Sequence, residues 1–548
     1  MAPTFFNANG CYGKTCSSPT DFPKASDLLD HMDRLGIERS LVWYLPAEEL
    51  NQTLGNRALL QEIDALPGRA QDRLIPAFII APTMLYAKGA LDELITTMET
   101  RRVRALRYFQ SSVGSFTLGQ LSPLLDRVSR FKPLLMVQCV MGPALINDLL
   151  DVSGKYPDIT FACMEPMWVH LPIVLDLMRQ RANIVCDTSY LHTRDTIAMI
   201  AGSFGPERLI FGAGSKSANG ASIAGLIYAD ITEKQQSLIA HENLERILGL
   251  DSLPRSTAHR PMPNGSLWSR YMRKEKSDIE IIDAHGHIGP VAKWVLQDRN
   301  MDEQIPEAIR WMDKTGISRM FVSGEHALYS DPVEGNRILL NALAGHRDRF
   351  SGYVVFNPYF AKELTPLFDE YFADDFFIGF KLLCDYWKIP LTDPGFKPAW
   401  EYADRNALPI LIHTWEGAYD SPAILKDVIP KYRNATFILG HSGGTDKGRK
   451  EAEELALANK NVYLDFCGSF CTRKTWEETI KLVGNDRVVF GSDSILHDQA
   501  WELGRLFSLD LPDEMLKPIL SGNIRRILGK RGKQYRRKKA QKAQKKNR

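Results

Sequence analysis

His285 and His287 stand two residues apart in Ile282-Asp-Ala-His-Gly-His-Ile-Gly289, at the end of a short apolar run. Side chains two apart on an extended segment point the same way, so both imidazoles can reach one divalent ion. Three further metal-competent residues, His413, His441 and Asp493, follow the apolar runs Ile410–Ile412, Thr436–Leu439 and Val488–Phe490, and Lys381 lies inside Ile378–Leu383. A His-x-His pair is weak evidence in a chain with 12 histidines, and a lone buried histidine is more often a satisfied core residue. Their joint fall at the ends of apolar runs is what points to a site.

The elements that must position them are eight such runs: Ile279–Ile282, Met320–Val322, Tyr353–Phe356, Ile378–Leu383, Ile410–Ile412, Thr436–Leu439, Val462–Leu464 and Val488–Phe490. Amphipathic stretches such as Glu307–Thr315 separate them. Eight strands alternating with helices over about 250 residues predict a (β/α)8 barrel, in which strand C-termini converge on one pocket.

The chain contains this pattern twice. Phe6-Asn-Ala-Asn-Gly-Cys-Tyr-Gly13 aligns with Ile282–Gly289, Gly55-Asn-Arg57 with Gly335-Asn-Arg337, Arg208–Gly212 with Arg487–Gly491, and Asn243–Gly249 with Asn523–Gly529. A conserved order with nearly constant offset predicts tandem copies of one α/β fold, two (β/α)8 barrels: 1–250, a proline- and serine-rich linker 251–278, 279–529, and a basic tail 530–548. In the first copy Asn9 and Cys11 fall opposite His285 and His287, Val137 (or Gln138, with a shift of one) opposite His413, Glu165 opposite His441 and Gly214 opposite Asp493. The first copy is therefore read as a degenerate barrel without a ligand set.

Composition sets the class. The chain has 548 residues, 44% hydrophobic and 24% charged, and no apolar run approaches the ~18 residues of a membrane span. Without a basic and apolar leader at its start, it is read as cytoplasmic. Its eight cysteines are too sparse for a disulfide scaffold, and Cys467 with Cys471 lacks a second pair for a structural zinc site. The net charge of +2 hides an asymmetry: 11 of the 68 basic residues lie in Lys530–Arg548, leaving 57 against 66 acidic ones elsewhere. A solvated tail and contact with RNA or another polyanion both remain open for that segment, as does self-association of the chain.

Together, Ile282–Gly289, Leu408-Pro-Ile-Leu-Ile-His413, Phe437-Ile-Leu-Gly-His441 and Val489-Phe-Gly-Ser-Asp493 resemble the amidohydrolase-related family, which includes metal-dependent hydrolases and decarboxylases similar to aminocarboxymuconate semialdehyde decarboxylase. The resemblance implies His285, His287, His413 and Asp493 as ligands of one divalent ion, zinc being expected, with His441 catalytic and Asp493 also accepting a proton. In binuclear relatives a carboxylated lysine at the Lys381 position bridges two ions and His441 would bind the second. An ion with an open position lowers the pKa of a bound water to about 7. The leading expectation is hydrolysis of an amide, ester or lactone bond in a small molecule; decarboxylation on the same metal is the alternative, and a non-catalytic scaffold using the basic tail is the alternative of another class. Loop residues Glu325, His326, Asp385 to Trp387, Trp415, Glu416 and His497 are candidate substrate contacts.

Overall fold

The computed structural model describes residues 4–16, 20–109, 116–139, 143–214, 220–251, 265–291, 300–495 and 497–530. The chain divides into two compact units, 1–273 and 274–548. The expected linker, 251–278, contains a helix, Leu267–Met272, whose Tyr271 stacks on Tyr228 of the first unit; residues 252–264 lie outside the described residues, as does the basic tail from 531 onward. No helix among the described residues is long and apolar enough to cross a membrane.

In the first unit eight parallel strands pair in chain order: β1 (Phe5–Tyr12), β2 (Ile37–Tyr44), β3 (Leu74–Ile79), β4 (Ala105–Tyr108), β5 (Leu134–Gln138), β6 (Thr160–Met164), β7 (Ile184–Asp187) and β8 (Leu209–Ile210). The Ala8 amide donates to Phe211 O just past β8, which closes the barrel. The second unit repeats the order with β9 (Ile281–Ile288), β10 (Ile317–Gly324), β11 (Phe350–Val355), β12 (Phe377–Leu382), β13 (Pro409–His413), β14 (Thr436–Gly440) and β15 (Val462–Leu464). Its eighth segment, 488–494, bridges Leu464 through Val488 and Gly286 through Ser494, closing that barrel too. The eight apolar runs of the second copy are these eight segments, and the expected helix at Glu307–Thr315 begins earlier, as Met301–Thr315.

Each barrel is filled by its own inward side chains. In the second unit Ile282, Phe321, Tyr353, Ile378, Leu411, Ile438, Tyr463 and Val489 form one cluster, plugged from below by Ile524 and Ile527 of the last helix. Apolar surface buried by that helix face stabilises the barrel at about 25 cal/mol per Å². The matching sequence segments are hydrogen-bonding fixtures. Asn523 Nδ2 donates to Asn485 O and Val488 O in the second unit, as Asn243 Nδ2 donates to Pro206 O and Leu209 O in the first. Asn336 and Asn56 likewise cap the ends of β11 and β3 through Val355 and Ile79. A buried carbonyl without a partner costs about 1–3 kcal/mol. Asn523→Ala, which strands two of them, is expected to lower the stability of the chain by about 2 kcal/mol in urea unfolding followed by far-ultraviolet circular dichroism, with a change in midpoint and not in slope.

Candidate metal centre

The six residues singled out from the sequence of the second copy meet at the C-terminal end of the second barrel. His285 and His287 are carried by β9, Lys381 by β12, His413 by β13, His441 by the turn after β14 and Asp493 by the eighth segment. Imidazole centroids of His285 lie 5.3 Å from those of His287 and 5.1 Å from those of His441, and His413 lies 4.7 Å from His441. Asp493 Oδ1 is 2.9 Å from His287 Nε2 and 3.4 Å from His285 Nε2, while Lys381 Nζ is 2.7 Å from His285 Nε2. Donor atoms of His285, His441 and Asp493 all lie within 4.8 Å of one another.

Each imidazole is anchored through its other nitrogen. His285 Nδ1 donates to Asp465 Oδ2 at 2.7 Å, His413 Nδ1 to Asp420 Oδ2 at 2.6 Å and His441 Nδ1 to Cys467 O at 2.7 Å; His287 Nδ1 lies 2.9 Å from Ser323 Oγ. A carbonyl or carboxylate oxygen only accepts, so in His285, His413 and His441 the proton sits on Nδ1 and the Nε2 lone pair faces the centre. That is the tautomer a divalent cation needs. Burial also keeps the rings neutral: it lowers His285 and His287 and pushes His413 to about 3 and His441 to about 4, with Lys381 adding to the effect. Burial alone would raise Asp493, yet the hydrogen bond from His287 and the surrounding imidazoles hold it well below the ordinary carboxylate range. Neutral imidazoles around an ionised carboxylate, buried except for the partly exposed His413, form a donor set that fits a divalent cation.

The backbone is bent to deliver these groups. Asp283, inside the His-x-His block, accepts from the amides of His285 and Ser492, fastening the first strand to the eighth. His441 and Asp493 occupy left-handed backbone at φ 63 and 56, which non-glycine residues rarely adopt and which concentrates at functional sites. Gly491 has its own reason: a Cβ there would sit 2.7 Å from His285 Cβ and 2.8 Å from Asp465 Oδ1.

Not every candidate belongs to the centre. Trp415 stacks on His413 at 6.2 Å, Tyr386 meets the same ring edge-on at 5.7 Å, and His497 Nε2 is 3.8 Å from Asp493 Oδ2. Glu325 and Tyr329 line a cavity of about 400 Å³ at the ends of β9 and β10. Glu416 instead accepts from Thr445 and pairs with Lys447, His326 pairs with Glu334, Asp385 with Lys388, and Trp387 Nε1 donates to Leu328 O. Sequence reasoning missed Asp465, Asp420, Ser323 and Cys467. Asp465 had a signal, an acidic residue directly after the seventh run; Asp420 lies seven residues past His413 in a loop and had none. Cys467 is a buried free thiol, and its Sγ lies 3.2 Å from His285 Nδ1, within ligand distance of His285 and Asp465.

Residues 282–530 match the family model described as Amidohydrolase. Solved structures similar to the chain include 5-carboxyvanillate decarboxylase from Sphingomonas paucimobilis (13% identity, 46% of this chain and 99% of that one, TM-score 0.37). Others are 2,6-dihydroxybenzoate decarboxylase from Rhizobium (15%, 46% and 99%, 0.37) and an uncharacterised TIM-barrel protein from Bordetella bronchiseptica (16%, 46% and 100%, 0.39). No curated protein matches the chain.

Removing a carboxylate that orients a ligating histidine typically weakens metal binding by about 10–100-fold. Asp465→Asn is expected to do so, read by competition with a fluorescent chelator, while leaving circular dichroism unchanged. Gly491→Ala is expected to abolish stoichiometric metal in elemental analysis, since neither His285 nor Asp465 has room to retreat.

Proposed function

We propose that the second unit is a divalent-metal-dependent enzyme acting on an aromatic small molecule, and that its reaction is non-oxidative decarboxylation. The observation that carries this reading is the wall of rings over the donor set. Besides Tyr386 and Trp415 on His413, Trp415 packs 5.8 Å from His441, Phe470 meets Trp415 edge-on at 5.6 Å, and Tyr329 meets Tyr386 edge-on at 5.7 Å. Tyr329, Tyr386 and Phe470 also expose much of their surface, which single core rings do not do. Rings arranged in this way grip a flat aromatic substrate by offset and edge contacts. The sequence placed hydrolysis first; the aromatic wall reverses that order, because a carboxylate enclosed by rings loses hydration that neutral CO2 never needed.

His285, His287, His413 and Asp493 would hold the ion, with zinc the expected metal. When bound, it supplies a Lewis acid that polarises the carboxylate or carbonyl oxygens. Lys381 Nζ, buried beside His285, is placed to donate to an anionic oxygen of the substrate. As the carbon–carboxyl bond breaks, its electron pair stays on the ring carbon and CO2 leaves. The proton that replaces it arrives through Asp493, whose Oδ2 faces His497. Hydrolysis of an amide, ester or lactone is the second reading, favoured by the same ionised Asp493, which can take a proton from water.

A panel of hydroxylated benzoates and of aryl amides, esters and lactones separates the two: CO2 release from the first group supports decarboxylation, and pH-stat proton release from the second with no CO2 from the first overturns it. His285→Ala is expected to lose metal and activity together. His441→Asn leaves four donors in place, so metal occupancy is expected to persist while turnover falls about 10²–10⁴-fold. Lys381→Ala is expected to keep one ion per chain in elemental analysis; loss of one of two ions would show a binuclear centre.

A further inference from the structure

The strand ends of the first barrel carry a polar cluster that the proposed activity does not use. Strand pairing fixes which of its residues stands where each donor of the second barrel stands. Leu134 pairs with Thr160 as Pro409 pairs with Thr436, so Gln138, the last residue of β5, takes the place of His413; the correct register is this one and not the one that puts Val137 there. Arg107 pairs with Met136 as Lys381 pairs with Leu411, which puts Arg107 in the place of Lys381. Phe161 pairs with Ile184 as Phe437 pairs with Val462, which sets Asp187 in the place of Asp465. Glu165 and His441 both follow the sixth strand in left-handed backbone, at φ 53 and 63. Asn7 Oδ1 accepts from the amides of Asn9 and Ala213 as Asp283 Oδ1 accepts from those of His285 and Ser492. Asn9 thus replaces His285, and Gly214, with φ 83 against 56 for Asp493, replaces the carboxylate ligand.

These replacements form a closed ring. Arg107 Nη1 donates to Asn9 Oδ1 at 2.9 Å and its Nη2 to Gln138 Oε1 at 2.6 Å. Asn9 Nδ2 donates to Glu165 Oε1 at 2.7 Å and Gln138 Nε2 to Glu165 Oε2 at 2.6 Å. Arg107 is wholly buried, and its guanidinium carbon lies 3.8 Å from the ring centroid of Trp43 and 4.7 Å from that of Phe109. The chemistry of each replacement suits a guanidinium. An amide accepts through oxygen and donates through nitrogen, so Asn9 and Gln138 can each bridge the cation to Glu165, whereas a neutral imidazole tied through Nδ1 offers only a lone pair. The planar fork reaches two acceptors at once, which an ammonium cannot do as rigidly.

We infer that Arg107 is a resident cation that does for the first barrel what a divalent ion is proposed to do for the second: it ties the ends of β1, β4, β5 and the turn after β6 together and balances the half-buried Glu165 carboxylate there. The first unit is then a metal-free barrel whose strand ends are held by protein alone. A metal entering this cluster would meet a buried positive charge, acceptors already engaged, and a glycine where the second barrel offers Asp493.

The test uses the full-length, zinc-saturated protein, with elemental analysis and segment-resolved hydrogen exchange. One metal equivalent is expected. Chelation with EDTA is expected to raise exchange at least tenfold in peptides covering 409–441 and to leave those covering 134–165 as they were. Arg107→Met is expected to reverse this pattern, raising exchange about tenfold or more in 134–165 while metal content and the protection of 409–441 stay unchanged. Should that variant not fold, Arg107→Lys, which keeps the charge but not the fork, is expected to show the same regional change to a smaller degree. EDTA-dependent exchange in 134–165, or unchanged exchange there in both Arg107 variants, would each overturn the inference.

Discussion

Every element of the candidate metal centre depends on one arrangement of hydrogen bonds, the anchoring of three of its imidazoles through Nδ1. An imidazole that could rotate or exchange tautomers would present a lone pair to the centre only part of the time. Asp465, Asp420 and the Cys467 carbonyl remove that freedom for His285, His413 and His441, and Ser323 lies against the fourth ring. The anchors come from strand ends and loops distant in sequence, so the barrel has to close before any of them acts. Closure in turn rests on Asp283, which fastens the first strand to the eighth and thereby sets His285 beside Asp493.

The cost of this order is local. His441 and Asp493 adopt backbone that non-glycine residues avoid, at a cost on the order of 1–3 kcal/mol each, and a row of neutral imidazoles is buried around one carboxylate. The core below offsets it: the cluster from Ile282 to Val489, plugged by Ile524 and Ile527, contributes apolar burial that does not change with the chemistry above. Separation of a rigid floor from a strained rim is what allows a barrel to carry different polar residues at its strand ends without changing its fold.

The two units illustrate that separation within one chain. Their strands pair in the same order, their Asn fixtures cap the same carbonyls, and the residue after the sixth strand has the same handedness in both. At the rim they diverge: imidazoles and a carboxylate in one, two amides, a carboxylate and an arginine in the other. In both cases a set of convergent dipoles surrounds a position that calls for positive charge.

The sequence by itself determined the repeat, the eight strand positions of the second copy and the residues His285, His287, Lys381, His413, His441 and Asp493, because strand period and strand-end polarity are local properties that survive in one dimension. It also placed Arg208, Asn243 and their partners in register, although not what those residues do. Only the tertiary structure decided which nitrogen of each ring faces the centre, that Asp465 and Asp420 hold His285 and His413, that Glu416 and His326 turn away to lysine and glutamate partners, and that Gln138 stands where Val137 had been aligned. Each of these depends on pairing between strands or on loops 7 to 180 residues apart in contact, and no periodicity within a single segment encodes such a distance.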